Sequence, residues 1–220
     1  MLKKFLFASA LLMLALSLCQ AQAQAQSAST APDDLPKYEV GFHFTSLTYN
    51  DERTEPGLGA RFTYNLNKSV ALEAEGDVLP HNARAFFLNG GRAVEGFFGV
   101  KIGKRHEKYG LFAKARPGLI SFTQGRFDYV PNGSGSAFPF DLRTERTTNF
   151  AMDVGGVLEL YPTKRIVTRF DLGDTIIRYG ATNFNTIVIP GSGPPVIVPL
   201  TVPTHRTHNL QFTAGIGFRF

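Results

Sequence analysis

Cysteine is almost absent from this 220-residue chain: Cys19 is the only one. That excludes a disulfide framework and a thiolate zinc site. Tryptophan is missing altogether, and charged residues make up only 19%. The net charge of +5, from 23 basic and 18 acidic residues, is too mild to point to nucleic acid, and no such partner is expected. Long apolar runs are scarce too. Beyond Ala25 there is no apolar stretch of the about 18 residues that a membrane-spanning helix needs. What the chain has instead is glycine (22) and phenylalanine (20), within a hydrophobic content of 43%. This balance excludes a disordered chain and a coiled coil, and it favours strands and turns over helices.

The one long apolar run lies at the start. Lys3 and Lys4 precede Phe5–Leu18, and small residues follow at Ala21, Ala23 and Ala25. A basic start, an apolar core and an A-x-A site describe a secretory signal peptide, residues 1–23, with cleavage after Ala23 or equally after Ala25. Cys19 is not expected to carry lipid, because a lipid-anchored cysteine follows a small residue and Leu18 is bulky. Loss of Lys3 and Lys4 lowers the charge from +5 to +3. Residues 24–37, with Pro32, Asp33, Asp34 and Pro36, read as a tether without structure. An exported chain with no helical anchor is either soluble or a membrane-spanning β-barrel.

From Tyr38 onward the hydrophobic period is two. Eight runs each show one apolar row and one mixed row, for example Tyr38, Val40, Phe42, Phe44 and Val70, Leu72, Ala74, Gly76, Val78. Others begin at Leu58, Val94, Tyr109, Phe150 and Ile166, and the last is Leu210, Phe212, Ala214, Ile216, Phe218, Phe220. No apolar row contains a charge. The opposite rows hold the charges, among them Glu39, Arg61, Glu73, Lys101, Glu159 and Arg219.

Period alone does not say which row points inward, and three features do. Connections after runs two, four and six are short (Asn67-Lys68, Lys104–Lys108, Pro162–Arg165). Those after runs one, three, five and seven are longer (Thr48–Pro56, Pro80–Gly91, Gln124–Arg146, Gly180–Arg206). All long connections therefore fall at one end, as in outer-membrane barrels. The even strand number brings both ends of the barrel to the short-turn side, which is the periplasmic side. The last run alternates right up to Phe220, whereas chain ends ordinarily fray. The expected fold is all-β: an eight-stranded antiparallel transmembrane up-and-down β-barrel over residues 38–220, apolar rows to lipid and charged rows inside.

On these rows, the sorted connections and the closing run Leu210–Phe220, the chain resembles the small outer-membrane β-barrel family of the OmpA/OmpX type, porin-like proteins with eight strands. The resemblance covers Tyr38 to Phe220. It implies an integral protein of the cell outer membrane, with outer-membrane lipid and lipopolysaccharide as surroundings. It also implies that Phe212, Phe218 and Phe220 serve as a C-terminal signal to the barrel-assembly machinery. The peptidoglycan-binding domain of larger members is not expected. The family hosts structural proteins, adhesins, narrow pores and a few enzymes, so function must come from the interior and the loops.

The inward rows place Arg61, Glu73, Glu75, Asp77, Glu95, Lys114, Arg116, Asp153, Arg169 and Asp171 in a lumen charge network. Buried charges are costly unless paired, so interlocked salt bridges are expected. A structural plug is one reading of them, and a narrow pore gated by exchange of Glu–Arg partners is the other. The ladder Glu73, Glu75, Asp77 has the spacing of a cation site on one strand face. With Lys114 and Arg116 available to neutralise it, no metal site and no cofactor are expected. His43 points inward, His81 and His106 fall in connections, and His205 and His208 lie on opposite faces of a strand. No serine stands two residues after a histidine, and no catalytic constellation emerges. Among the long connections, Gln124–Arg146 turns at Asn132-Gly133, and Gly180–Arg206 holds two Val/Ile runs around Gly191-Ser192-Gly193. Both read as hairpins above the membrane, each a candidate surface for a ligand of unknown kind. The expected function is non-enzymatic: a barrel that anchors surface loops for envelope integrity or contact, with a narrow passive pore as the alternative.

Overall fold

The computed structural model describes residues 36–49, 53–83, 88–134, 139–191 and 193–220. The expected signal peptide and most of the tether lie outside the described residues. The described residues form ten strands in chain order: β1 (Tyr38–Thr48), β2 (Thr54–Asn65), β3 (Val70–Ala83), β4 (Leu88–Arg105), β5 (Tyr109–Pro131), β6 (Phe140–Leu160), β7 (Ile166–Tyr179), β8 (Thr182–Val188), β9 (Val196–Val202) and β10 (His205–Arg219). Eight of them close an antiparallel barrel in the order β1-β10-β7-β6-β5-β4-β3-β2. β8 and β9 pair only with each other, as a separate hairpin. Closure satisfies every edge, which a chain in lipid requires because lipid offers backbone groups no partner.

The seam between first and last strands is complete. The Tyr38 N–H donates to the Phe220 carbonyl and the Phe220 N–H to the Tyr38 carbonyl, both at 2.9 Å. Their rings lie 6.0 Å apart, and Tyr38 also meets Phe62 and Tyr64 at 6.2 and 5.3 Å. In a chain without tryptophan, this Tyr/Phe cluster supplies the aromatic girdle that anchors a barrel rim at the membrane interface. Phe218 and Phe220 are exposed on the outer wall, as is Phe212 higher on β10.

The outer wall inverts the polarity of a soluble protein. Phe42 is 70% exposed, Leu58 67% and Phe98 60%, while every charged residue of the inward rows is buried. An exterior of this kind is stable only against hydrocarbon, which settles the direction of both rows.

The sorted connections have a different physical origin from the one read in the sequence. The spans after runs one and three are partly strand: β2 begins at Thr54, and β3 and β4 extend to Ala83 and from Leu88. What distinguishes this end is overhang. β4, β5 and β6 run for 18, 23 and 21 residues, more than the about 9–11 a tilted strand needs to cross a bilayer. Register shifts mark the change from wall to overhang, between Leu79 and Ala83, Gly90 and Ala93, and Phe122 and Arg126. Gly91, at the second of these, takes φ +82°, a conformation comfortable only for glycine.

The β5–β6 overhang turns where Asn132-Gly133 leads in, with Gly133 at φ +68°. The Asn132 N–H reaches the Pro139 carbonyl at 2.9 Å, so the turn is wider than a two-residue hairpin. β8–β9 leans on this overhang through the Asn185 N–H, which donates to Asp128 Oδ1 at 2.9 Å.

An arginine at an outward midplane position must bring its charge into hydrocarbon. Phe42→Arg or Val154→Arg should each cost about 2–4 kcal/mol in reversible unfolding from a bilayer. An unchanged unfolding midpoint would mean that these rows do not face lipid.

Candidate functional site: the filled barrel interior

Alternate residues of each strand face inward, so the interior is built from the charged rows in successive levels. At the level nearest both ends of the barrel, Asn65 donates to Glu39 Oε1 at 2.9 Å and to the Pro36 carbonyl at 2.8 Å. Arg105 donates to Glu39 and Asn65 at 3.2 and 3.1 Å, and through Nε to the Tyr161 hydroxyl at 2.9 Å. Tyr161 in turn donates to Glu159 at 2.7 Å. Burial, then the Glu159 carboxylate, pushes the Tyr161 phenol well above its usual pKa, which keeps it a donor. Arg219 stacks on the Tyr161 ring, 4.2 Å from its centroid.

The next level is held by two arginines. Arg169 reaches Asp171 through Nε and Nη2 at 2.6 and 2.8 Å, and grips Glu73 with both terminal nitrogens. Arg116 forks onto Glu75 at 2.7 and 2.8 Å, and its Nε donates to Asp153 at 2.9 Å. Lysines bridge between them: Lys101 between Glu73 (3.3 Å) and Glu159, and Lys114 between Asp153 (2.8 Å) and Asp171 (3.3 Å). Arg61 lies 3.7 Å from Glu75. Planar guanidinium forks suit this task because each binds two carboxylates without needing water.

Above this level the interior changes character. His43 and Asp77 pair at 2.6 Å. Gln211 donates to Glu95 at 2.6 Å and to Thr45 at 3.2 Å. Beyond them an apolar cap closes the interior at the overhang end, made of Leu47, Leu79, Ile120, Phe122, Ile177 and neighbours. Tyr49 and Tyr179 flank Phe122 at 6.1 and 6.3 Å.

The ten residues placed in the lumen network from sequence are all buried, none above 5% exposed. Eight of them come together around Arg116 and Arg169. Asp77 and Glu95 do not: among the described residues neither has a lysine or arginine partner. The neutralisation expected for the acid ladder also differs. Arg116 takes Glu75, as anticipated, but Lys114 turns to Asp153 and Asp171. Glu73 goes to Arg169 and Lys101, and Asp77 is left to His43. β6 lies directly beside β5 and supplies Asp153; β7 and β3 both stand two strands away, and Lys114 takes Asp171 on β7 while Arg116, two residues on, takes Glu75 on β3.

Lys101, Glu159, Arg105 and Tyr161 join the network without having been assigned to it. Inward parity on β4 already carried a signal for Arg105, but Lys104–Lys108 was read as a turn and the turn begins only at His106. The apolar cap was missed because the sequence reading stopped short of the overhang. Of the histidines, His81 sits in β3 rather than in a connection and pairs with Glu55 at 2.8 Å. His106 lies in its turn, stacked on Tyr109 at 4.7 Å. His208 faces outward, paired with Asp174 at 2.6 Å, while His205 stacks on Tyr179 at 5.0 Å.

A closed eight-stranded barrel with an apolar outer wall and a filled, charged interior is a transmembrane β-barrel. Solved structures similar to this chain include small outer-membrane barrels. They include Ail, the attachment invasion locus protein of Yersinia pestis (11% identity, 83% of this chain and 96% of that one, TM-score 0.43). Neisserial surface protein A gives 10% identity, 83% and 96% coverage and a TM-score of 0.46. The N-terminal barrel domain of Pseudomonas aeruginosa OprF gives 14%, 83% and 97%, with a TM-score of 0.43. No family model and no curated protein matches the sequence. At such low identities the likeness concerns the fold alone, and the strand register of this chain carries the fold independently.

Removing one member of a buried charge cluster strands its partners. Arg116→Met should destabilise the barrel by about 3–5 kcal/mol, measured by urea unfolding in bilayers. Adding Glu75→Gln and Asp153→Asn to the same variant should restore most of that loss.

Proposed function

We propose that the protein is a non-enzymatic, integral outer-membrane barrel, exported through a cleaved signal peptide, that anchors surface structure for envelope integrity or contact. The observation that carries this reading is the complete burial of the central interior charges among the described residues. Arg116, Lys101, Asp153, Glu73 and Glu159 are 0% exposed. Side chains that lined an aqueous channel would border solvent. These border one another, and the apolar cap stands above them.

In this reading the ends of the barrel lie in the periplasm and the β5–β6 overhang and β8–β9 hairpin project outward. The hairpin region from Thr182 to Thr204 contains no charged residue. Val188, Ile189, Val196 and Leu200 are exposed on it, and apolar surface of this kind suits contact with a ligand. Outer-membrane lipid and lipopolysaccharide surround the apolar belt. Phe212, Phe218 and Phe220 present the closing strand to the barrel-assembly machinery. Three imidazole–carboxylate pairs, His43–Asp77, His81–Glu55 and His208–Asp174, could orient a base, but among the described residues none of these rings is hydrogen-bonded to a serine. That favours the non-enzymatic reading.

A narrow pore is the second reading, and one observation favours it. Arg116 Nη1 lies 2.7 Å from Glu75 and 3.5 Å from Glu73, so an alternative acceptor is within a small side-chain movement. Refolded protein in a planar bilayer separates the two. No step conductance is expected from the parent chain or from Glu75→Ala. Discrete openings that change in Glu75→Ala would make the pore the function.

Removing Phe220 takes away the two backbone bonds to Tyr38 that end the seam, and the ring against Tyr38. The truncated chain should accumulate unassembled in cells, seen as loss of the heat-modifiable folded band. Unchanged insertion would remove the role proposed for the closing strand.

A further inference from the structure

The interior charges balance in number at the level of Arg116 and Arg169 but not above it. Nine carboxylates face inward; Glu55, near the overhang, pairs with Arg53 and His81, and the other eight share the interior with seven lysine or arginine groups. One of the seven, Arg219, has its guanidinium on the Thr163 and Lys164 carbonyls at the far end. Two carboxylates are thus left without a cation, and they are Asp77 and Glu95. Their positions compound the problem, because they are direct cross-strand neighbours on β3 and β4. Two like charges opposite one another, at 1% and 2% exposure, repel strongly where no water screens them. Asp77 Oδ2 and Glu95 Oε2, one oxygen of each carboxylate, have no hydrogen-bond partner among the described residues.

The groups around them have the arrangement of a ligand set. One ring nitrogen of His43 and one carboxylate oxygen each from Glu75 and Asp77 lie within 4.8 Å of one another. Donors about 2.0–2.2 Å from one tetrahedral ion stand roughly 3.5 Å apart, so small side-chain adjustments would bring the three together. The backbone makes room for this convergence. Gly59 of β2 lies between His43 and Asp77 in register. A Cβ there would come within 1.8 Å of Asp77 Oδ1 and 2.5 Å of His43 Nε2. Gly215 clears the other side, where a Cβ would fall 2.5 Å from His43 Cβ.

We propose that His43, Asp77 and Glu75 bind one divalent transition-metal ion of zinc-like preference inside the barrel. One imidazole and carboxylate oxygens are the donors such an ion selects. Its two positive charges offset Asp77 and, across the strand pair, Glu95, while Glu75 stays neutralised by Arg116. With the apolar cap above and the arginine level below, the ion enters during folding rather than through the finished wall. It acts as an internal fastener between β1 and β3, and its binding free energy adds to folding.

The experiment is refolding of the chain into bilayers with zinc or with a chelator, followed by removal of free metal, elemental analysis and urea unfolding. The parent should retain about one zinc per barrel and unfold at higher urea than the chelator-refolded sample. Asp77→Asn and His43→Gln should each weaken retention by about 100-fold or more, with folding checked by heat-modifiable mobility. Gly59→Ala, which closes the space from the backbone side, should do the same without removing a ligand. His81→Ala and His208→Ala, at the two carboxylate-paired histidines outside the cluster, should keep the full equivalent. A parent that retains no zinc would overturn the proposal. So would zinc that survives both Asp77→Asn and His43→Gln, or zinc lost with His81 or His208.

Discussion

Arg116 and Arg169 are the pair on which the interior depends. An eight-stranded barrel has an interior just wide enough for side chains to fill. In this chain those side chains are charged. Each guanidinium is shared between acids on different strands: Arg116 joins β3 to β6, and Arg169 joins β3 to β7. The cross-links run through the barrel axis and brace walls that backbone hydrogen bonds tie only edge to edge. Lys101 and Lys114 then carry the balance of charge between the two forks, so the level behaves as one unit rather than as separate pairs.

That arrangement explains the vertical order of the interior. Dense pairing at mid-height needs arginines and acids from several strands at one level. The apolar cap lies where the register shifts begin and the wall becomes overhang. Between the two, the His43–Asp77–Glu95 level is neither fully paired nor apolar. A transition zone of this kind is where a fold can hold an unmet electrostatic demand without losing its closure.

Much of this architecture was legible in the sequence. The period of two, the charge-free rows and the aromatic closing run give the strand number, the facing and the closure. The physics behind each is local, because side-chain alternation in a strand follows from backbone geometry alone. The ten inward charges were legible for the same reason. Their pairing was less so. Lys114 was expected beside the β3 acids and instead meets β6 and β7, because partner choice depends on strand adjacency and stagger around the ring. The overhang was misread in part: Thr54–Gly57 and Leu88–Gly91 look like loop residues by composition, yet pairing with neighbouring strands holds them extended.

The sequence by itself determined which residues form strands, which face of each is apolar, and that the charged face must be buried with its charges paired. Only the tertiary structure decided which acid meets which base, that these side chains are buried against one another, and that Asp77 and Glu95 share a level with a histidine and, among the described residues, no lysine or arginine partner. Alternation is a property of one strand, whereas height and angular position in a closed barrel belong to all eight strands at once.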